Sequence, residues 1–349
     1  MSIVAEQFDA VIGVDTHTDT HTAAVVTAMG VVIAQTTVTA DPAGTAQLLT
    51  WAHANSTGRI CWAVEGTRSH GQSLTRALTA ARHTVVNAAA PARSTRRGNG
   101  KSDPIDAITA ARTVLATPTT AVATPRADGD REALRILLTC RRHYTDTRTA
   151  TVNLLKSLIL TADDTLRQHL RRLSTRDQIR LLSTLTPPTD ASTETRTRYQ
   201  HLTALAGQIT TLDTLLAANK RDLHTLVTQT CPALLDQPGV GPVTAATLLI
   251  TWSHHGRVRT EAAFAALCGT NPIPASSGRT TRMRLNRGGD RTANAALHTI
   301  AMTRRRTHQP TRDYVTRRTA EGRTLPEINR CLKRYLARKL YRIMQTTTP

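Results

Sequence analysis

The chain has 349 residues, 40% of them hydrophobic but only 3% aromatic, so it is long enough for more than one folded unit, with cores built mainly from Leu, Val, Ile and Ala. Lys and Arg number 45 against 25 for Asp and Glu, a formal net charge of +20 that points to a polyanionic partner and argues against an acidic one. Nearly all of that charge is arginine, whose planar fork suits phosphates and base stacking, although a GC-rich coding sequence would raise Arg and Ala without functional cause.

Five cysteines are scattered without a CxxC pair, which gives neither a zinc ribbon nor a disulfide framework. The opening "MSIVAEQFDAVIG" lacks the basic start of a signal peptide. No apolar run reaches the roughly 18 residues needed to span a bilayer. A cytoplasmic, nucleoid-associated protein with no membrane partner is expected.

In chain order, "AVIGVDTH" and "TAAVVTAMGVVIAQTTV" cluster β-formers, with Gly30 as a turn between two strands. A helix near residues 45–54, a strand "ICWAVEG", a helix "GQSLTRALTAAR" and a strand "HTVVNAA" follow. This alternation predicts an α/β domain with functional groups at strand ends, finishing near residue 115. "GKSDPIDAITAAR" then opens a helix, with Asp103 as N-cap, Pro104 in the first turn and Asp106 beside the positive end of the dipole. Residues three apart also share a helix face, so the same two carboxylates could bind one metal ion.

"ATPTTAVATPRADGD" reads as a linker, and from Arg131 the pattern becomes helical and basic until "PPTDAST" interrupts it. Leu202, Leu205, Ile209, Leu212, Leu216, Asn219, Leu223 and Leu226 then form a heptad seam with one polar member. Such a stripe serves either an intrachain partner helix or pairing between chains, and self-association through it is expected. In "LLDQPGVGPVTAATLLITW", Gly239 and Gly241 lie in a glycine turn between apolar helical segments, the helix-hairpin-helix pattern that offers backbone N–H groups to a phosphate. A loop-like basic tract carries Arg279, Arg282, Arg284 and Arg287, candidates for nucleic-acid contact, and "INRCLKRYLARKLYRIMQ" is a basic amphipathic helix. The division expected is 1–125 for the α/β domain, 126–230 for a helical spacer and 231–349 for a helical C-terminal domain.

Asp15 directly follows "VIGV" and Glu65 follows "ICWAV", each at a strand end. Together with Asp103 and Asp106 they supply the anionic oxygens that two-metal phosphoryl chemistry requires. "DTHTDTH" offers His17, Asp19 and His21 as a rival His/Asp metal box, but the segment is expected to run into the first hairpin, with His17 near the site and not essential.

The stretches "GVDTHTDTHTAAVV", "VEGTRSHG" and "GKSDPIDAITAAR" resemble the N-terminal domain of the insertion-sequence 110 family of transposases. "LLDQPGVGPVTAATLLITW" and "NPIPASSGRTTRMRLNRGGDRTANAALH" resemble its C-terminal domain. The resemblance spans essentially the whole chain. It implies an RNase H-like, RuvC-like DEDD domain with Asp15, Glu65, Asp103 and Asp106 as metal-binding acids, a coiled-coil region, and Mg²⁺ as cofactor. It implies Ser277, before Gly278, as the nucleophile, with adjacent Ser276 as competitor. It further implies a homo-oligomer, dimer or tetramer, in which acids of one subunit meet the serine of another, acting on donor and target DNA under guidance of a structured bridge RNA. A metal-dependent junction nuclease using water, or a noncatalytic nucleic-acid binder, are the alternatives.

Overall fold

The computed structural model describes residues 2–88, 102–275, 278 and 283–348. Their packing forms two units, Met1–Ala127 and Asp128–Pro349.

The first unit is built on a five-stranded sheet of β1 (Ala10–Thr16), β2 (Thr20–Thr27), β3 (Val32–Thr39), β4 (Ile60–Glu65) and β5 (Thr84–Ala88) in the order β3-β2-β1-β4-β5. β1, β4 and β5 run parallel, whereas β2 and β3 are antiparallel to their neighbours. The central strands β1, β2 and β4 are buried almost along their length because both faces of the sheet are covered there, whereas the edge strand β3 is partly exposed. On one face, Ile12, Val14, Trp62 and Val64 pack with Leu48 of α1 (Pro42–Asn55) and with Leu74 and Leu78 of α2 (Gln72–Ala80). On the other, Val11, Cys61 and Ala63 pack with Ala110, Ala111 and Val114 of α3 (Asp103–Leu115).

The seat of α3 is set by Gly13. A Cβ there would lie 2.0 Å from the Ala107 carbonyl oxygen and 2.8 Å from the Ala111 nitrogen, so the helix backbone rests directly on the strand. Small residues on both elements permit this approach, and it carries the first turn of α3 to the C-terminal end of β1.

In the second unit, α4 (Asp130–Leu160) and α7 (Thr193–Thr230) are long antiparallel partners of 31 and 38 residues. At a rise of 1.5 Å per residue α7 extends about 57 Å. Two short helices, α5 (Asp164–Arg171) and α6 (Thr175–Leu182), close the far end around Leu155, Leu166, Leu182 and Leu202. Asn219, the polar member of the heptad seam, is buried and donates from Nδ2 to the Leu137 carbonyl at 2.9 Å, while Arg148 grips Asp213. The apolar stripe of α7 is therefore covered by α4 of its own chain. Leu202, Ile209, Leu212 and Leu223 are all buried there, which removes the exposed apolar seam on which the expected self-association depended.

α8 (Pro242–Trp252), α9 (Glu261–Leu267), α10 (Arg291–Thr307), α11 (Gln309–Ala320) and α12 (Leu325–Thr347) complete the unit. Leu134 of α4 and Leu223 and Val227 of α7 share one core with Leu248, Phe264, Leu297 and Leu340, so residues on both sides of position 231 contribute to the same packing. A two-stranded ribbon, β6 (Ile273–Pro274) and β7 (Met283–Arg284), projects from it. Among the described residues no helix is long and apolar enough to cross a membrane.

Replacing Gly13 by Ala should lower unfolding stability by about 2 kcal/mol or more, because the clash is with backbone that cannot rotate away. Urea denaturation checks this; a variant within about 0.5 kcal/mol of the parent would show that the strand–helix contact is looser than described.

Candidate metal centre and nucleic-acid cleft

Side chains alternate along a strand, so Asp15 continues the face of Val11 and Gly13, and Glu65 that of Cys61 and Ala63. β1 and β4 are parallel with Gly13 opposite Ala63 and Val14 opposite Val64, and the next pair in that register is Asp15 with Glu65. Thr16 Oγ1 donates to the Glu65 carbonyl at 2.9 Å and ties the two strand ends together. Both acids thus sit side by side beneath α3.

The start of α3 differs from the sequence expectation by one residue. Ser102 has the extended N-cap backbone, φ −147° and ψ 146°, and caps with no side-chain hydrogen bond. Asp103 is inside the helix, and its carboxylate is turned to the strand end, where Oδ1 lies 3.3 Å from His17 Nε2. Asp106 is buried in the same first turn. Asp103 therefore faces the strand end and is not the N-cap of its helix.

His17 Nε2 is also 3.2 Å from Asp15 Oδ2. Donor atoms of Asp15, His17 and Asp103 all lie within 4.8 Å of one another, a separation that one cation could bridge. Asp19 and His21 are not in this group, so the rival box contributes only its first histidine; His21 pairs with Thr16 across the hairpin and is buried. His17 thus lies near the site, as the sequence predicts. The signal available was its position two residues beyond Asp15, which keeps it on the same face.

Burial pushes the Asp15 carboxyl above its usual range, His17 opposes this, and the Asp103 and Asp106 charges add to it. Gathering carboxylates in one desolvated place is unfavourable without a counter-cation, and a divalent ion is the natural one.

The other predicted contacts are distributed over the second unit. Gly239 has φ +78°, a Cβ on it would meet the Ile300 carbonyl at 3.0 Å, and Arg304 Nε donates to the Pro238 carbonyl at 2.6 Å, so the turn is packed on α10. Gly241 is the N-cap of α8, but its own N–H donates to Thr244 Oγ1 at 3.0 Å. The segment before this turn is a single 3-10 turn, Pro232–Leu234. Arg284 lines a cleft of about 630 Å³ between the β6–β7 ribbon and α12, and Arg287 lines a neighbouring one of about 510 Å³. The larger cleft adds Arg330, Lys333 and Arg334 from the basic amphipathic helix, and Arg318 and Arg323, which the sequence does not single out. Its acid among the described lining residues, Glu327, is engaged by the Thr324 N–H and hydroxyl, which hold its pKa down. Ser276, Ser277, Arg279 and Arg282 lie outside the described residues.

A mixed α/β sheet in the N-terminal unit followed by a helical C-terminal part is consistent with a DEDD nuclease-like fold. A family model for the DEDD transposase domain of IS110 elements, described as Transposase, matches residues 12–162. A second model, described as Transposase IS116/IS110/IS902 family, matches residues 231–316. The chain belongs to the IS110 family of transposases. It is a DNA transposase of an insertion sequence, an enzyme that binds, cuts and rejoins DNA. No curated protein matches the chain.

Because burial and neighbouring acids raise the Asp15 pKa, the native metal-free state binds more protons than the unfolded chain just above pH 3.8, and stability falls as pH rises through that window. Asp15→Asn removes the ionisation and keeps a hydrogen-bond partner for His17. The metal-free variant should therefore melt higher than the parent at pH 7, and scanning calorimetry without divalent ions should show it; a lower melting point would mean that the ionised carboxylate stabilises the fold.

Proposed function

We propose that the transposase cuts and rejoins DNA through a covalent serine intermediate, with Mg²⁺ held by Asp15, Glu65, Asp103 and Asp106 and with Ser277 as the nucleophile. What supports the metal assignment is the register that brings Asp15 level with Glu65 at two strand ends, with the first turn of α3 beside them, and the spacing of Asp15 and Asp103, together with His17, for a cation; Glu65 and Asp106 are not part of that spaced group. When bound, the ion supplies charge to the scissile phosphate and acidity to the attacking hydroxyl.

The residues of the chain have separate tasks. The four acids bind and orient the ion, while the strand–helix contact at Gly13 keeps their spacing. Ser277 Oγ bonds to phosphorus as the leaving DNA oxygen departs with a proton, and the phosphoserine retains the phosphodiester energy for rejoining without ATP. Arg279, Arg282, Arg284 and Arg287 would neutralise the charge that builds on the phosphate oxygens. Donor and target DNA, a structured bridge RNA and a homo-oligomeric assembly complete the reading, with residues 1–125 for metal chemistry, 126–230 as spacer and 231–349 carrying the serine. The family resemblance supports the RNA and the serine; the +20 charge and the Arg-lined cleft support a large polyanionic load.

Ser277→Ala should abolish a denaturant-resistant protein–DNA adduct and Ser276→Ala should only weaken it. Mixing Ser277→Ala with Asp15→Ala protein should restore some strand transfer if acids and serine of different subunits act together. An adduct that survives Ser277→Ala but not Ser276→Ala moves the nucleophile by one residue; Mg²⁺-dependent nicking with no adduct in the parent protein would leave a water-using nuclease. Nucleic-acid affinity should fall by roughly 10³ to 10⁵ between 50 and 200 mM salt if about six to ten phosphates are contacted. Converting Arg323 and Arg334 to Gln should reduce the salt slope by about one per lost contact, as binding titrations at several salt concentrations would show.

A further inference from the structure

His17 is the residue at the metal centre that the four-acid scheme does not use. Its backbone is fixed, because the His17 N–H donates to the Thr20 carbonyl at 2.9 Å and closes the β1–β2 hairpin. Its ring turns back over the strand end, so that Nε2 stands 3.2 Å from Asp15 Oδ2 and 3.3 Å from Asp103 Oδ1. An imidazole nitrogen presents one proton or one lone pair, and it cannot give two linear hydrogen bonds to carboxylates arriving from a strand and a helix. Two donors at right angles around a small octahedral cation lie about 3 Å apart, given ligand distances near 2.1 Å. The observed separations are close to that edge. The ring is 45% exposed, so Nδ1 can keep its proton in water and leave the Nε2 lone pair to a cation.

We propose that His17 Nε2 is a direct metal ligand beside Asp15 and Asp103, making the centre a mixed nitrogen–oxygen site that accepts Mg²⁺ and binds a divalent first-row transition ion such as Mn²⁺ more tightly than the four acids alone would. Mg²⁺ dehydrates reluctantly and is suited by carboxylate, carbonyl and water, whereas imidazole suits the transition ions. The inference rests on the four-acid metal reading and adds a nitrogen donor to it. Asp15 at the end of the strand and Asp103 at the head of α3 supply oxygens from two sides, and the hairpin supplies nitrogen from the third.

The test is pulsed EPR of Mn²⁺ bound to the full-length protein, together with Mg²⁺ competition followed by the signal of free Mn²⁺. Nitrogen-14 coupling of a directly bound imidazole should be present in the parent and absent from His17→Gln and His17→Ala. Mn²⁺ affinity should drop at least tenfold in both variants, since even loss of an outer-shell partner costs roughly 10- to 100-fold. Mg²⁺ affinity should change much less. Mn²⁺ that binds the parent in an Asp15-dependent manner but shows no such coupling, or coupling that persists in His17→Gln, overturns the histidine ligand and leaves the four acids intact. Failure of the parent to bind Mn²⁺, or binding indifferent to Asp15→Ala, overturns the metal reading and the histidine with it. Should a variant fail to fold, the parent spectrum alone decides whether an imidazole is bound.

Discussion

The contact between Gly13 and the backbone of α3 is the constraint on which the first unit depends. A strand and a helix ordinarily keep a side chain between them; here Ala107 and Ala111 meet a residue without a Cβ, at distances that admit nothing larger. The approach does two things at once. It buries the apolar face of the sheet under Ala110, Ala111 and Val114, and it sets the head of the same helix, with Asp103 and Asp106, against the end of β1. Stability and the placing of Asp103 beside Asp15 are therefore products of one piece of packing. The parallel pairing of β1 with β4 then brings Glu65 level with Asp15, and Thr16 locks the level.

The carboxylates gathered there work against stability in the absence of a cation. Burial raises the Asp15 pKa, His17 opposes this, and the nearby aspartates raise it further. The second unit has the opposite balance. Its cleft by the β6–β7 ribbon is lined by Arg284, Arg323, Arg330 and Arg334, while Glu327 is drawn into the cap of α12. One unit thus gathers carboxylates and the other gathers guanidinium groups, each by a separate arrangement of its own residues.

Much of this was legible in the sequence because the relevant signals are local. The β-rich runs around Gly30, the strand ends at Asp15 and Glu65, and the long helix through the heptad seam follow from periodicity and turn residues. What was not legible depends on partners distant in the chain. The N-cap of α3 falls on Ser102 because Asp103 is drawn to His17, from another element. The heptad stripe of α7 gave no indication whether its partner was the same chain or another; α4, folded back through α5 and α6, covers it. The sequence places His17 near the site, and only the helix arriving beside it gives the ring a second carboxylate.

A divalent ion at the ends of β1 and β4 is the requirement common to the chemistry proposed above. The most direct measurement is the anomalous scattering of Mn²⁺ in crystals of the protein grown or soaked with that ion. The account predicts density at the C-terminal ends of β1 and β4, within bonding distance of carboxylate oxygens from Asp15, Glu65, Asp103 and Asp106. Ordered Mn²⁺ found only elsewhere, or those four carboxylates engaged by cationic side chains with no ion among them, would contradict it.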